Sequence, residues 1–181
     1  MPSLDREATY LIAALVCASI GGVTDFRSRR IPNWLTGPSL LLGLTLHLVL
    51  GGWRDAATAA LAGFLAGGLF FLFFLAGGMG GGDVKLIAAV CCLAGLSQTL
   101  TILIATALVG GVFAIVLALA SRQMRQTLIN VGSLITHHRQ EGLSPHPALN
   151  VNNGAQLRLP YGVVIAAGTA FSLVRMTAGS G

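Results

Sequence analysis

Charge is scarce in this sequence. Asp, Glu, Lys and Arg make up 9% of its 181 residues, where a soluble domain carries about 25%. Too little polar surface is present to coat a water-soluble fold, and 54% of the residues are hydrophobic, so membrane residence is expected. Cysteine is scarce as well. Cys17, Cys91 and Cys92 lie inside apolar stretches without metal-ligand spacing, which argues against a disulfide framework or a zinc site and for small buried packing groups. No P-loop ending in Gly-Lys-Ser/Thr occurs, and no serine stands with a histidine and a carboxylate in a nucleophile motif. The net charge of +5 comes from basic residues scattered between apolar runs rather than gathered into a patch. That distribution argues against nucleic acid as a partner and fits short loops on the inner face of a membrane.

What is present is a succession of apolar runs, each near the roughly 20 residues a spanning helix needs. They are Ala8 to Thr24, Trp34 to Leu50, Ala56 to Ala76, Val84 to Leu96, Leu100 to Ala120 and Leu159 to Met176. The fourth is short for a full span, and Ser97-Gln98-Thr99 makes a polar break before the fifth. An open sheet would leave edge groups unpaired in lipid, and the runs do not alternate as barrel strands do. The expected fold is all-α, a polytopic transmembrane helical bundle of about six spans. It forms one integral-membrane domain over 1–181, with a cytoplasmic loop at about 121–159. Met1 to Glu7 is mixed in charge and no small-x-small cleavage site follows, so the first run reads as a retained helix. Glycine pairs inside the runs, such as Gly21-Gly22, Gly67-Gly68 and Gly110-Gly111, read as close-packing sites between helices.

Orientation follows from the basic residues. With the N-terminus outside, inner segments hold Arg27, Arg29, Arg30, Lys85, Arg122, Arg125, Arg139 and Arg158, and outer segments hold Arg6, Arg54 and Arg175. The positive-inside rule favours that arrangement, provided the fourth and fifth runs are separate spans. The hydrophilic stretch after Ala120 then faces the cytoplasm. Met124, Leu128, Val131 and Ile135 recur at helical spacing there and predict a helix lying on the inner membrane surface. His137, His138 and His146 read as solvated side chains rather than metal ligands.

Two acidic residues stand in unusual places. Asp25 follows the first run in Gly22-Val23-Thr24-Asp25-Phe26-Arg27, and Asp83 opens the fourth in Gly80-Gly81-Gly82-Asp83-Val84-Lys85-Leu86. Ionisable groups near lipid are costly, on the order of 2.5–3.5 kcal/mol at a helix centre. With separate fourth and fifth spans, both fall on the same, cytoplasmic side. Two carboxyl groups facing each other cannot both ionise cheaply and so share a proton. Such a pair can activate a water against a peptide carbonyl with no metal, cofactor or covalent intermediate. Gly77-Gly78 and Gly80-Gly81-Gly82 break the helix before Asp83 and let a substrate strand come close. A small ion- or proton-coupled transporter is the rival from another class, since membrane aspartates beside broken helices also mark ion pathways.

These blocks carry a resemblance. Gly80-Gly81-Gly82-Asp83-Val84-Lys85-Leu86 resembles the GxGD-x-K-L signature of the type IV prepilin peptidases. Asp25-Phe26-Arg27-Ser28-Arg29-Arg30-Ile31-Pro32-Asn33 is similar to that family's other block, and Pro160-Tyr161-Gly162 to the motif opening its last helix. The resemblance implies an inner-membrane aspartic endopeptidase that removes the basic leader of prepilins and pseudopilins at the cytoplasmic face. Asp25 and Asp83 inherit the catalytic roles, with Gly80, Gly82 and Lys85 as motif support. Lys85 either tunes Asp83, meets an acidic residue of the substrate or, with the arginines, anchors the inner face. Pilus assembly machinery is a further possible partner. The first two runs are joined only by about Asp25 to Asn33, with no paired-cysteine motif. This looks like the short (CpaA/TadV-like) branch of tight-adherence and Flp-type pilus systems, for which peptidase activity without methyl transfer is implied. Archaeal preflagellin peptidases share the two-aspartate plan. Presenilin-like proteases also use GxGD, but Pro160-Tyr161-Gly162 stands where their Pro-Ala-Leu is expected.

Overall fold

The computed structural model describes residues 2–120 and 160–179 as an all-α bundle, with no strand among the described residues. Its helices are α1 (Pro2–Ser28), α2 (Asn33–Gly51), α3 (Trp53–Leu75), α4 (Gly81–Ala94), α5 (Leu96–Ala120) and α6 (Tyr161–Gly179). The apolar stripe at 124–135 and the histidines at 137, 138 and 146 lie outside the described residues.

Five of these helices are long and apolar enough to cross a membrane. The exception is α4, whose 14 residues rise about 21 Å against a hydrocarbon core of roughly 30 Å. Its shortness goes with its position. Packed against all five other helices, α4 is the axis of the bundle, and Leu86, Ile87, Ala89, Val90, Cys91, Cys92 and Leu93 are all but fully buried. The three cysteines are buried free thiols, as the apolar context of each predicts.

The expected break at Ser97-Gln98-Thr99 moves. The chain turns at Gly95, where φ is +81°, a left-handed conformation that favours glycine. The three polar residues form the first turn of α5 instead. They are accommodated there because each finds a partner or a place: Thr99 Oγ1 donates to the Gly95 carbonyl at 2.8 Å, and Gln98 bridges Glu7 of α1 and Ser172 of α6. Separate fourth and fifth elements therefore stand, and the chain reverses between them. Gln98 beside Glu7 and Arg175 beside Thr101 put the start of α5 with the start of α1 and the end of α6. Gly162 beside Asp25 puts the start of α6 with the end of α1.

Outside this axis the bundle is greasy. Exposed side chains such as Phe64, Phe71, Leu108, Val112 and Phe171 cover its flanks. Such a belt is stable in lipid tails and costly in water. Exposed Trp34 and Trp53 stand at opposite ends of α2 and the α2–α3 turn, where amphipathic rings suit the two membrane interfaces. Helix contacts depend on small residues. On α3, Ala59, Ala62, Gly63 and Ala66 are buried, and a Cβ on Gly63 would come within 2.9 Å of the Ala88 carbonyl oxygen of α4. Backbones approach that closely only where side chains are nearly absent.

Candidate active site

Asp25 and Asp83 meet because of register. α1 and α4 run in opposite directions, and Gly21 of α1 lies so close to Leu86 that a Cβ would be 2.6 Å from its Cδ1. One turn further along α1 is Asp25, and one turn back along α4 is Asp83. The contact at Gly21 thus brings the two acids to the same level and face. Each is only 9% exposed, and the two are close enough to interact electrostatically.

Both carboxylates sit at helix N-termini, where unpaired N–H groups and the helix dipole favour negative charge. Asp83 is in the first turn of α4, and its Oδ2 accepts from the Gly80 N–H at 3.1 Å. This is half of a capping box, made with the chain's own backbone. Asp25 does the same for a different helix. Its Oδ2 accepts from the Gly162 N–H at 2.9 Å, in the first turn of α6 and 137 residues away. In each acid the bond falls on Oδ2, and Oδ1 receives none from a described residue.

The glycines of the motifs are explained by these approaches. A Cβ on Gly162 would lie 2.9 Å from Asp25 Cβ, and one on Gly22 would lie 3.1 Å from the Gly162 carbonyl oxygen. Larger residues at either place would push α6 away from α1 and Asp25 away from its donor. Pro160 opens α6, its carbonyl accepting from Val163 N–H at 3.0 Å. Tyr161 sits between, partly buried and within electrostatic reach of Asp83. Sequence reasoning noted Pro160-Tyr161-Gly162 as a motif but assigned it no role. The donor to Asp25 was legible only as a glycine opening a helix.

The other support residues fall into place around α4. Gly82 lies under Ile31, where a Cβ would be 3.2 Å from the Ile31 Cβ. Lys85 Nζ donates to Asn33 Oδ1 at 3.0 Å. Ile31 and Asn33 therefore tie the block after Asp25 to the block around Asp83, with Pro32 between them at the N-cap of α2. Lys85 is exposed and bonded to Asn33 rather than to Asp83. The chain leaves α1 through Arg29, a non-glycine residue at φ +53°, whose N–H donates to the Asp25 carbonyl at 2.8 Å. Among the described residues no three His, Cys, Asp or Glu side chains converge in a way that would hold a metal ion.

A sequence profile of the type IV leader peptidase family matches residues 10–115, more than half of the chain and a stretch that includes both aspartates. The chain belongs to that family. It is thereby a peptidase by family, built as a membrane helix bundle. The match stops before Pro160-Tyr161-Gly162, so the part played by α6 rests on the geometry at Asp25. No curated protein and no solved structure matches the chain.

Proposed function

We propose that this peptidase is an aspartic endopeptidase that removes the leader of type IV or Flp-type prepilins, with Asp25 and Asp83 as its catalytic pair. The observation that carries the reading is the pairing itself: two buried acids at one level of the bundle, each held at a helix N-terminus through one oxygen. One carboxylate takes a proton from a water as the water oxygen attacks the scissile carbonyl carbon. The other, protonated, donates to the carbonyl oxygen. The tetrahedral adduct then collapses, the C–N bond breaks, and a proton passes to the leaving nitrogen. Nothing is oxidised or reduced.

The exposed Arg27, Arg29, Arg30 and Lys85 crowd the end that holds the aspartates. By the positive-inside rule that end faces the cytoplasm of the inner membrane, leaving the N-terminus outside. The direct turn from α1 into α2 leaves no room between them for a cysteine-bearing domain, which supports the short branch and cleavage without methyl transfer. Co-expression with a prepilin tests the reading. The leader should be lost with the unaltered chain and retained with Asp25→Asn or Asp83→Asn, followed as a mobility shift on a gel; normal processing by either variant would overturn it. The orientation has its own test. A cysteine at Ser28 should be shielded from an impermeant thiol reagent outside intact spheroplasts, and one at Thr58, exposed at the opposite end, should be labelled.

A further inference from the structure

The aspartates lie near one end of a bundle whose flanks face lipid, so a polypeptide segment held in the bilayer would reach them through a gap between helices. Among the described residues, open clefts along the flanks include two that border α3. One, of about 580 Å³, lies between α2 and α3 with Val84, Ala88 and Cys92 of α4 at its base. The other, of about 400 Å³, lies between α3 and α5 and is lined by Phe70, Phe73, Gly110, Gly111, Met79 and Tyr161 among others. They differ at their inner ends. Met79 precedes Gly80, whose N–H holds Asp83, and Tyr161 precedes Gly162, whose N–H holds Asp25. The α3–α5 cleft therefore opens onto the residues beside both donors. The α2–α3 cleft reaches Val84, next to Asp83, but is lined by neither Met79 nor Tyr161 and so borders neither donor.

We propose that the α3–α5 cleft receives an apolar stretch of the substrate polypeptide next to the bond that is cut, and guides it from the bilayer to the aspartates. This rests on the peptidase reading above and adds the route. The lining is almost wholly apolar, which suits side chains leaving lipid and does not suit an ion. Gly110 and Gly111 leave the wall of α5 low, and no heavy atom of a described residue outside the backbone of α5 stands within 4 Å of where a Gly111 Cβ would be. The volume is that of a pocket for a few side chains, not for a whole helix. The cleft would thus read the residues flanking the cut and leave the rest of the segment in lipid.

Two open glycines give a matched test. Gly111 borders the α3–α5 cleft and Gly68 the α2–α3 cleft; against the close packing expected of their glycine pairs, neither has an atom of a described residue outside its own helical backbone within 4 Å of its Cβ position. Leucine at either place fits the helix and improves its propensity. In proteoliposomes with a full-length prepilin, Gly111→Leu should slow cleavage by about tenfold or more, while Gly68→Leu stays within about twofold. Separately, a benzophenone amino acid at 111, in the Asp83→Asn chain, should form an adduct with the prepilin, and one at 68 should not. The crosslink does not depend on catalysis, so it judges the route even if the Asn variant proves active and the aspartic mechanism fails. The route is overturned by an adduct from 68 alone or from both sites, by lipid adducts alone at 111, or by unchanged cleavage in Gly111→Leu.

Discussion

The bundle carries acids at both ends and treats them differently. At the end holding the N-termini of α1, α3 and α5, Asp55 Oδ2 accepts from the Tyr10 hydroxyl at 3.0 Å and lies 3.1 Å from His47 Nδ1. His47 is 2% exposed. Its Nε2 lies 3.1 Å from the Leu93 carbonyl oxygen, and its ring stacks on Tyr10 at 3.7 Å between centroids. Three helices and the end of α4 are tied together there by side chains, and the acid's charge faces an imidazole. At the opposite end, Asp25 and Asp83 have no such partner among the described residues. Each is held by one backbone N–H, and each lies in the other's field. An acid bonded by side chains of other helices fixes those helices in place. On the reading proposed above, an acid held through one oxygen beside a second acid keeps its other oxygen for water and substrate and needs the rest of the fold to hold it there.

The sharpest break of that comparison is to remove the charge and keep the bond. Asp25→Asn and Asp83→Asn each retain a carbonyl oxygen that can accept the same N–H. Cleavage should fall by about four orders of magnitude or more, with the double variant little worse than either single. The thermal midpoint in detergent should scarcely move, and a large drop would assign these acids to structure instead. Next in size is Gly162→Ala, which forces Asp25 from its donor. Displacements of about 1 Å can cost about a hundredfold in rate, so kcat should fall by that order while the helix content by circular dichroism is kept. At the other end the effects should invert. His47→Ala removes a buried partner and should cost about 1–3 kcal/mol of stability, seen as a lower thermal midpoint. Activity per folded molecule should stay within about twofold, because nothing at that end touches the aspartates. Smallest is Lys85→Ala, which loses one exposed bond to Asn33. Such a bond contributes about 0.5–1.5 kcal/mol, and cleavage should drop by no more than a few-fold.

The membrane, the helical class, the order of the helices and the two acids could all be read from residue order alone. Each depends on local quantities, namely apolar run length and the oddity of an acid at the edge of such a run. Where the fourth and fifth runs separate was misplaced, because the polar residues Ser97, Gln98 and Thr99 look like a loop until α1 and α6 supply partners for Gln98. The turn belongs instead to Gly95, whose left-handed φ favours glycine by itself and whose Cβ position is also taken up by His47, a neighbour only the fold supplies. Tertiary structure alone decided that α4 is the buried axis, that Gly21 against Leu86 sets the level of the two acids, and that Asp25 takes its hydrogen bond from a glycine 137 residues away. It alone also separated His47–Asp55, bonded through side chains, from Asp25–Asp83, each held by one backbone N–H, since all four look alike in a list of ionisable residues near lipid. The physical reason is range: hydropathy acts residue by residue along the chain, whereas the field at a carboxylate is set by whatever atoms the fold brings within a few ångströms of it.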